Sequence, residues 1–309
     1  MGQVAFVFAG QGAQYPGMGK ELYETSPAAR AVFQMADRIR PGTIQQCFEG
    51  TKQELSQTKN TQPCVFTVDL ACAAALRESG VTAHAAAGFS LGEIAALAFT
   101  GVLSAEDAFR LVQKRANLME QCSRQTQGAM AAILRLKTEE AERLCEQAKA
   151  WPVNYNCPGQ LVAAGTTEAI STLCKLVADA GGKAVRLAVS GAFHSPLMAK
   201  ASEGLSKELE HYTLKPSEIP LYSNVTAQPY GENAASLVAR QVKSPVLWQK
   251  TIETMIAKGF DTFVEVGPGT TLCGLIRRIS ANVKTIGAAD SKSLAKAIQL
   301  VMEEKHAHR

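Results

Sequence analysis

The sequence predicts an α/β fold: a buried parallel sheet into which a small α+β unit is inserted. Three observations predict it. Short runs such as Gln3-Val4-Ala5-Phe6-Val7-Phe8 are apolar almost throughout, the pattern of a strand covered on both faces. Such runs pass straight into glycine turns and then into helix-forming sequence, as strand–turn–helix units do. The middle of the chain reads differently, as β-α-β-β-α-β, the order of the ferredoxin-like motif. The chain has 309 residues, 46% hydrophobic and 19% charged, enough to build one large core or two unequal ones.

Taken in order, the run 3–8 is a strand that enters the glycine loop Ala9-Gly10-Gln11-Gly12-Ala13-Gln14. Residues 83–88 form a second strand, followed at once by 91–98, which is helix-forming and apolar almost all round. The segment 104–122 is an amphipathic helix with Ser104 as N-cap and Asp107 at the capping-box position. The insert then runs as strand 129–134, helix 138–149, strand 153–156, strand 160–165, helix 167–180 and strand 183–189. Pro158-Gly159 makes the turn between its two central strands. Residues 126–189 are therefore expected to form a subdomain within a larger domain built from 1–125 and 190–309. Near the end, 262–266 is a strand, Gly267-Pro268-Gly269 a turn, and the following helix runs through Leu275 and Ile279.

Charge and composition exclude several functions. The 32 Lys and Arg against 28 Asp and Glu leave a net charge of +4, with no basic stripe of the kind that binds nucleic acid. No apolar run approaches the roughly 20 residues needed to span a bilayer. The opening Met1-Gly2-Gln3-Val4-Ala5-Phe6 lacks the basic region and cleavage site of a signal peptide, so a cytoplasmic location is expected. Eight cysteines without a Cys-x-x-Cys pair point to reduced, mostly buried thiols and to no metal site.

The chemistry centres on Gly88-Phe89-Ser90-Leu91-Gly92, a G-x-S-x-G sequence at a strand-to-helix junction. Small residues on either side allow a sharp turn that lifts the Ser90 hydroxyl above the sheet. The Leu91 N–H, at the helix start, then faces a developing oxyanion. The alternative is an ordinary turn serine. A nucleophilic serine needs a base. Of five histidines, His306 and His308 fall in the polar tail, His211 in a charged helix, and His84 before a strand at the far edge of the sheet. His194 remains, in a loop leaving a strand, where catalytic side chains tend to sit. No Asp or Glu between Ser90 and His194 stands out as a third member, so a backbone or amide carbonyl is an alternative means of holding the imidazole.

Arg115 falls on the apolar stripe formed by Ala108, Leu111, Val112, Leu118, Met119 and Cys122. A buried guanidinium needs an anion. A structural Asp or Glu would serve. So would the carboxylate of a substrate held over Ser90, which a guanidinium fork suits.

These residues, with further motifs in the same order, resemble the malonyl-CoA:acyl-carrier-protein transacylases of fatty-acid synthesis and the acyltransferase domains of polyketide synthases. The resemblance runs almost end to end. It is carried by Phe8-Ala9-Gly10-Gln11-Gly12, Gly88-Phe89-Ser90-Leu91-Gly92-Glu93, Arg115 with Leu118-Met119, and Gly128-Ala129-Met130-Ala131-Ala132. It continues through Asn154-Tyr155-Asn156-Cys157-Pro158-Gly159-Gln160, Ala192-Phe193-His194-Ser195-Pro196-Leu197-Met198, Arg240-Gln241 with Pro245-Val246, and Glu265-Val266-Gly267-Pro268-Gly269.

The resemblance implies a hydrolase-like α/β core with a ferredoxin-like insert. It implies that Ser90 carries a malonyl ester and that His194 is its general base and acid. It assigns the oxyanion hole to the N–H groups of Gln11 and Leu91, the malonyl carboxylate to Arg115, and the orientation of the histidine to the carbonyl of Gln241. Asn156 and Asn224 would support the site. Phe193 would either crowd the substrate α-carbon or pack in the core. The implied substrates are malonyl-CoA and a phosphopantetheinylated acyl carrier protein, with no metal or redox cofactor and a monomeric enzyme. An acidic carrier would be steered by basic surface, which the net charge permits. Two departures stand out: Phe89 replaces the usual His, and Ala9 the usual Pro. Other readings are a discrete polyketide-type acyltransferase, an acyl-enzyme hydrolase, against which Arg115 argues, and a non-catalytic carrier-binding protein, against which the intact Ser90, His194 and Arg115 argue.

Overall fold

The computed structural model describes residues 2–189 and 191–307, with side chains through residue 302. Its strands are β1 (Gln3–Phe8), β2 (Ala85–Gly88), β3 (Gly128–Leu134), β4 (Trp151–Cys157), β5 (Gln160–Thr166), β6 (Lys183–Arg186), β7 (Leu221–Tyr222), β8 (Phe260–Val266) and β9 (Lys284–Ala288). Five of them form a parallel sheet in the order β7-β2-β1-β8-β9. Side chains of β1 alternate between two cores, as strand geometry requires. Val4, Phe6 and Phe8 face the larger cluster, while Ala5 and Val7 face a second one built around Trp248, Ile252 and Phe263. That double cover is why the strand reads as one apolar run.

The register aligns the strand ends. Phe8 lies beside both Gly88 and Val266, so the loops that leave β1, β2 and β8 emerge together at one edge of the sheet. In open α/β sheets that carboxyl edge is where ligands bind.

The remaining four strands form an antiparallel sheet in the order β4-β5-β3-β6, the ferredoxin-like arrangement, covered by the helices Thr138–Gln147 and Thr167–Asp179. Gly159, at φ 72°, makes the expected turn between β4 and β5. The expected strand 183–189 ends at Arg186; Leu187 N still donates to Met130 O, but Arg186 is the last ladder residue. The small sheet is stitched to the rest through Val246, whose N–H donates to Val153 O and whose carbonyl accepts from Tyr155 N.

The 21-residue helix Thr58–Glu78 runs through the centre and has 17 of its residues buried, so it shows no polar face to mark it in the sequence. The helix Ala105–Thr126 starts as expected, with Ser104 Oγ accepting from Asp107 N. The return arm differs: Asp107 Oδ2 accepts a hydrogen bond from the Ser104 hydroxyl and not from its backbone N–H.

All eight cysteines are free; seven are buried and Cys174, on the Thr167–Asp179 helix, is half-buried. Among the described residues no helix is long and apolar enough to cross a membrane, and no three His, Cys, Asp or Glu side chains gather as a metal site would need.

Candidate active site

Ser90 sits between β2 and the helix Leu91–Phe99 at φ 55° and ψ −105°, a region that non-glycine residues rarely occupy. The flanking glycines make the turn possible. A Cβ on Gly88 would collide with the backbone of Gly92 and Glu93, and one on Gly92 with the carbonyl oxygens of Phe8 and Ala9. The helix start is thus pressed against the end of β1. Asn224 clamps the turn from the other side: its Oδ1 accepts from Ser90 N at 2.8 Å and its Nδ2 donates to Gly88 O at 2.6 Å.

Ser90 Oγ lies 2.7 Å from His194 Nε2. His194 Nδ1 lies 2.9 Å from the backbone carbonyl of Gln241, which can only accept, so Nδ1 carries the proton and Nε2 is left to accept from the serine. His194 is itself at φ 62°, tied down by its N–H donating to Val242 O. Burial, helped by the positive charge of Arg115, pushes its pKa down to about 4, so the imidazole is neutral at physiological pH. No carboxylate is hydrogen-bonded to His194 among the described residues. The backbone carbonyl stands where a triad acid would.

Arg115 is 1% exposed and joins this pair. Its Nη2 donates to Ser90 Oγ at 3.1 Å and to Gln241 Oε1 at 2.8 Å, and its Nη1 donates to Gln62 Oε1 at 2.7 Å. Its Nε has no partner, and it takes part in none of the ion pairs among the described residues, all of which lie at the surface. No Asp or Glu is bonded to it; the buried Glu93, across the Gln241 amide, acts on it only through space. Burial lowers its pKa to about 10, which leaves it charged at neutral pH.

The other expected residues fall as follows. The backbone N–H groups of Gln11 and Leu91 donate to no protein acceptor among the described residues. The Gln11 loop abuts the nucleophile turn, because a Cβ on Gly10 would strike the Phe89 carbonyl. Phe193 is 6% exposed and packs in the main core. Asn156 is buried with its Oδ1 unpartnered, and it makes no hydrogen bond to Ser90, His194 or Arg115. Phe89 packs edge-on against Trp248 with ring centroids 5.4 Å apart. His84 Nδ1 accepts from Val4 N at the opposite end of β1, and His211 lies just past the helix Ala199–Leu209. The His306 side chain and His308 lie outside the described residues.

Residue-by-residue reading of the sequence missed Gln62 and Tyr230, and gave Glu93 no role. Gln62 carried no clear signal: it follows the polar run Thr58-Lys59-Asn60-Thr61, and only the fold buries it beside Arg115.

The chain resembles known proteins along almost its whole length. The family model described as "Acyl transferase domain" matches residues 5–298. The chain belongs to the acyl transferase family. It is 39% identical to the malonyl CoA-acyl carrier protein transacylase of Bacillus subtilis (strain 168), over 98% of this chain and 99% of that one. The solved malonyl CoA-acyl carrier protein transacylase of Clostridium perfringens superposes with a TM-score of 0.95 at 35% identity, covering 99% of each chain. A malonyl-transacylase solved in complex with its type II PKS acyl-carrier protein superposes at 0.93 with 32% identity, over 96% of this chain and 99% of that one. In this acyl transferase, then, the buried serine, histidine and arginine meet at the carboxyl edge of the parallel sheet.

Proposed function

We propose that this acyltransferase moves a malonyl group from malonyl-CoA to the phosphopantetheine thiol of an acyl carrier protein, through a malonyl ester on Ser90. The observation that carries the reading is the state of Arg115: buried, charged, with no carboxylate bonded to it, one donor unpaired, and bonded to the nucleophile itself. Nε and Nη2 form one edge of the guanidinium fork. An arriving malonyl carboxylate takes that edge, displaces the contact to Ser90 Oγ and frees the hydroxyl for attack.

His194 Nε2 accepts the Ser90 proton as Oγ adds to the thioester carbonyl. The N–H groups of Gln11 and Leu91 stabilise the oxyanion. The C–S bond breaks, the CoA sulfur leaves with the proton from His194, and the malonyl ester remains. The carrier thiol then gives its proton to His194, attacks the ester, and the proton returns to Ser90 Oγ. Thiol, serine and imidazole balance every proton, so the reading calls for no metal or redox cofactor. The donor is a soluble thioester and the acceptor a thiol on a soluble carrier protein, and we take the reaction to be cytoplasmic. We also take residues 126–189 as a subdomain of a catalytic domain formed by 1–125 and 190–309.

The test is direct. Malonyl-CoA alone should acylate the protein, as intact mass reads it, and carrier protein should discharge the adduct. Ser90→Ala should take no label. Arg115→Ala should lower kcat/KM for malonyl-CoA by at least roughly 10–100-fold, the worth of a charge-assisted hydrogen bond, while acetyl-CoA is accepted better. Arg115→Lys should recover little. Label on Ser90→Ala protein would sink the nucleophile assignment. Malonyl and acetyl transfer falling together in Arg115→Ala would sink the carboxylate assignment.

A further inference from the structure

Behind Ser90 lies a carboxylate that the transfer chemistry does not use. Glu93, in the first turn of the helix Leu91–Phe99, is fully buried and belongs to none of the ion pairs among the described residues. It faces hydrogen-bond donors: the Tyr230 hydroxyl on Oε1, Gln241 Nε2 at 2.6 Å on Oε2, and the Asn224 N–H at 3.3 and 3.4 Å from its two oxygens.

The Gln241 amide is what these contacts orient. Its Nε2 donates to Glu93 and also to Ser90 O at 2.7 Å, so both its hydrogens are used. Its Oε1 therefore faces Arg115 Nη2. An amide can turn end for end within the same volume, and only its partners decide which way it points. Turned, it would aim donor hydrogens at the guanidinium and leave a buried N–H without an acceptor.

We propose that Glu93 is a positioning residue for acyl selection: it locks the Gln241 amide with its oxygen toward Arg115 and so fixes where the guanidinium receives the substrate carboxylate. Burial raises the Glu93 pKa to about 7 against the opposing pull of Tyr230, Gln241, Asn224 and Arg115. The lock survives protonation, because a proton on Oε1 can be donated to the Tyr230 oxygen while Oε2 goes on accepting from Gln241. The inference rests on the reading of Arg115 given above. The competing role is plain helix stabilisation by a carboxylate in the first turn, which would affect stability and not substrate choice.

The measurement is the ratio of kcat/KM for malonyl-CoA to that for acetyl-CoA, with thermal melting alongside. Glu93→Met removes the acceptor and should lower the ratio at least about tenfold. Glu93→Gln should restore most of it, because the introduced amide can keep its oxygen toward Gln241 and donate to the Tyr230 oxygen. Tyr230→Phe combined with Glu93→Gln removes that outlet. The pair should lose the ratio although it changes the volume very little, which keeps the test alive if Glu93→Met does not fold. Gln241→Leu should mimic Glu93→Met, and the two together should be no worse than either. A ratio that stays constant in Glu93→Met and in the paired variant, or two substrates that fall in parallel with the melting point, would overturn the positioning role. Arg115→Ala serves as the reference: an unchanged ratio there removes the Arg115 reading itself, whereas a changed ratio there and a constant one in the Glu93 variants removes only this inference.

Discussion

The nucleophile and its base are held by opposite means. Ser90 is set chiefly by steric fit, from two glycines with no room for a Cβ and a strand ending against a helix start, with the distant Asn224 clamping the turn. His194 adopts a left-handed backbone as well, but distant groups hold it, through its N–H on Val242 O and Nδ1–H on Gln241 O. The serine arm is a steric construction and the histidine arm an electrostatic one. The two meet at Gln241, whose backbone carbonyl holds the imidazole while its side chain reaches Ser90 O, Glu93 and Arg115. Damage to the serine arm should therefore be read in folding, and damage to the histidine arm in rate.

The hardest blow to this contrast is Gly92→Ala. The new methyl would meet backbone carbonyls of β1 and the loop after it, which cannot move aside as a flexible side chain could. A loss of at least about 3 kcal/mol is expected, at the upper end for overpacking, and denaturant unfolding measures it. A mutant that melts like the parent would show that the elbow yields and that the contrast is false.

His194→Ala comes next. Acylation should slow by about 10²–10⁴-fold, the usual worth of general base help, while the melting point moves little. The pH profile sharpens the point. The base works neutral, so kcat/KM should hold level as pH falls past 6.5 and drop only near the folded pKa of about 4. Burial is the larger cause of that depression and Arg115 the second, so Arg115→Ala should move the acid limb upward without returning it to 6.5. An acid limb at 6.5 in the wild type would mean that the ring is not sealed off in the working enzyme.

The smallest effect belongs to Phe89→His. The ring packs on Trp248 and is hydrogen-bonded to no reacting group, so malonyl transfer should stay within about threefold. Stability should shift by about 1 kcal/mol, the scale of one aromatic pair. A large fall in rate would bring this position into the chemistry and weaken the claim that the elbow acts only through its shape.

The same division decides what the sequence could reveal. The elbow was legible because its cause is local: five consecutive residues contain the turn, the small flanks and the nucleophile. Arg115 was legible because a charge on an apolar helical stripe is an anomaly within one helix. The small sheet and the three central strands of the parallel one were legible from run length and order, although β6 stops short and the edge strands β7 and β9 were not read. The third partner of the triad was not, since a backbone carbonyl leaves no trace in residue type; Gln241 came only through resemblance. Tyr230 meets Glu93 across 137 residues, and Gln62 meets Arg115 across 53. No spacing rule reaches that far. The helix Thr58–Glu78 escaped for a different reason: with nearly all its residues buried, it offers no period to detect.

The distribution of sulfur has a practical consequence. Seven thiols are sealed in the core and the eighth, Cys174, is partly open on the outer helix of the small sheet. A maleimide added to the native chain should couple once, at a place remote in structure from the serine chemistry, and no cysteine need be removed first. A dye carried there would turn the unmodified sequence into a fluorescent reporter, able to follow in real time the arrival and departure of whatever docks beside it.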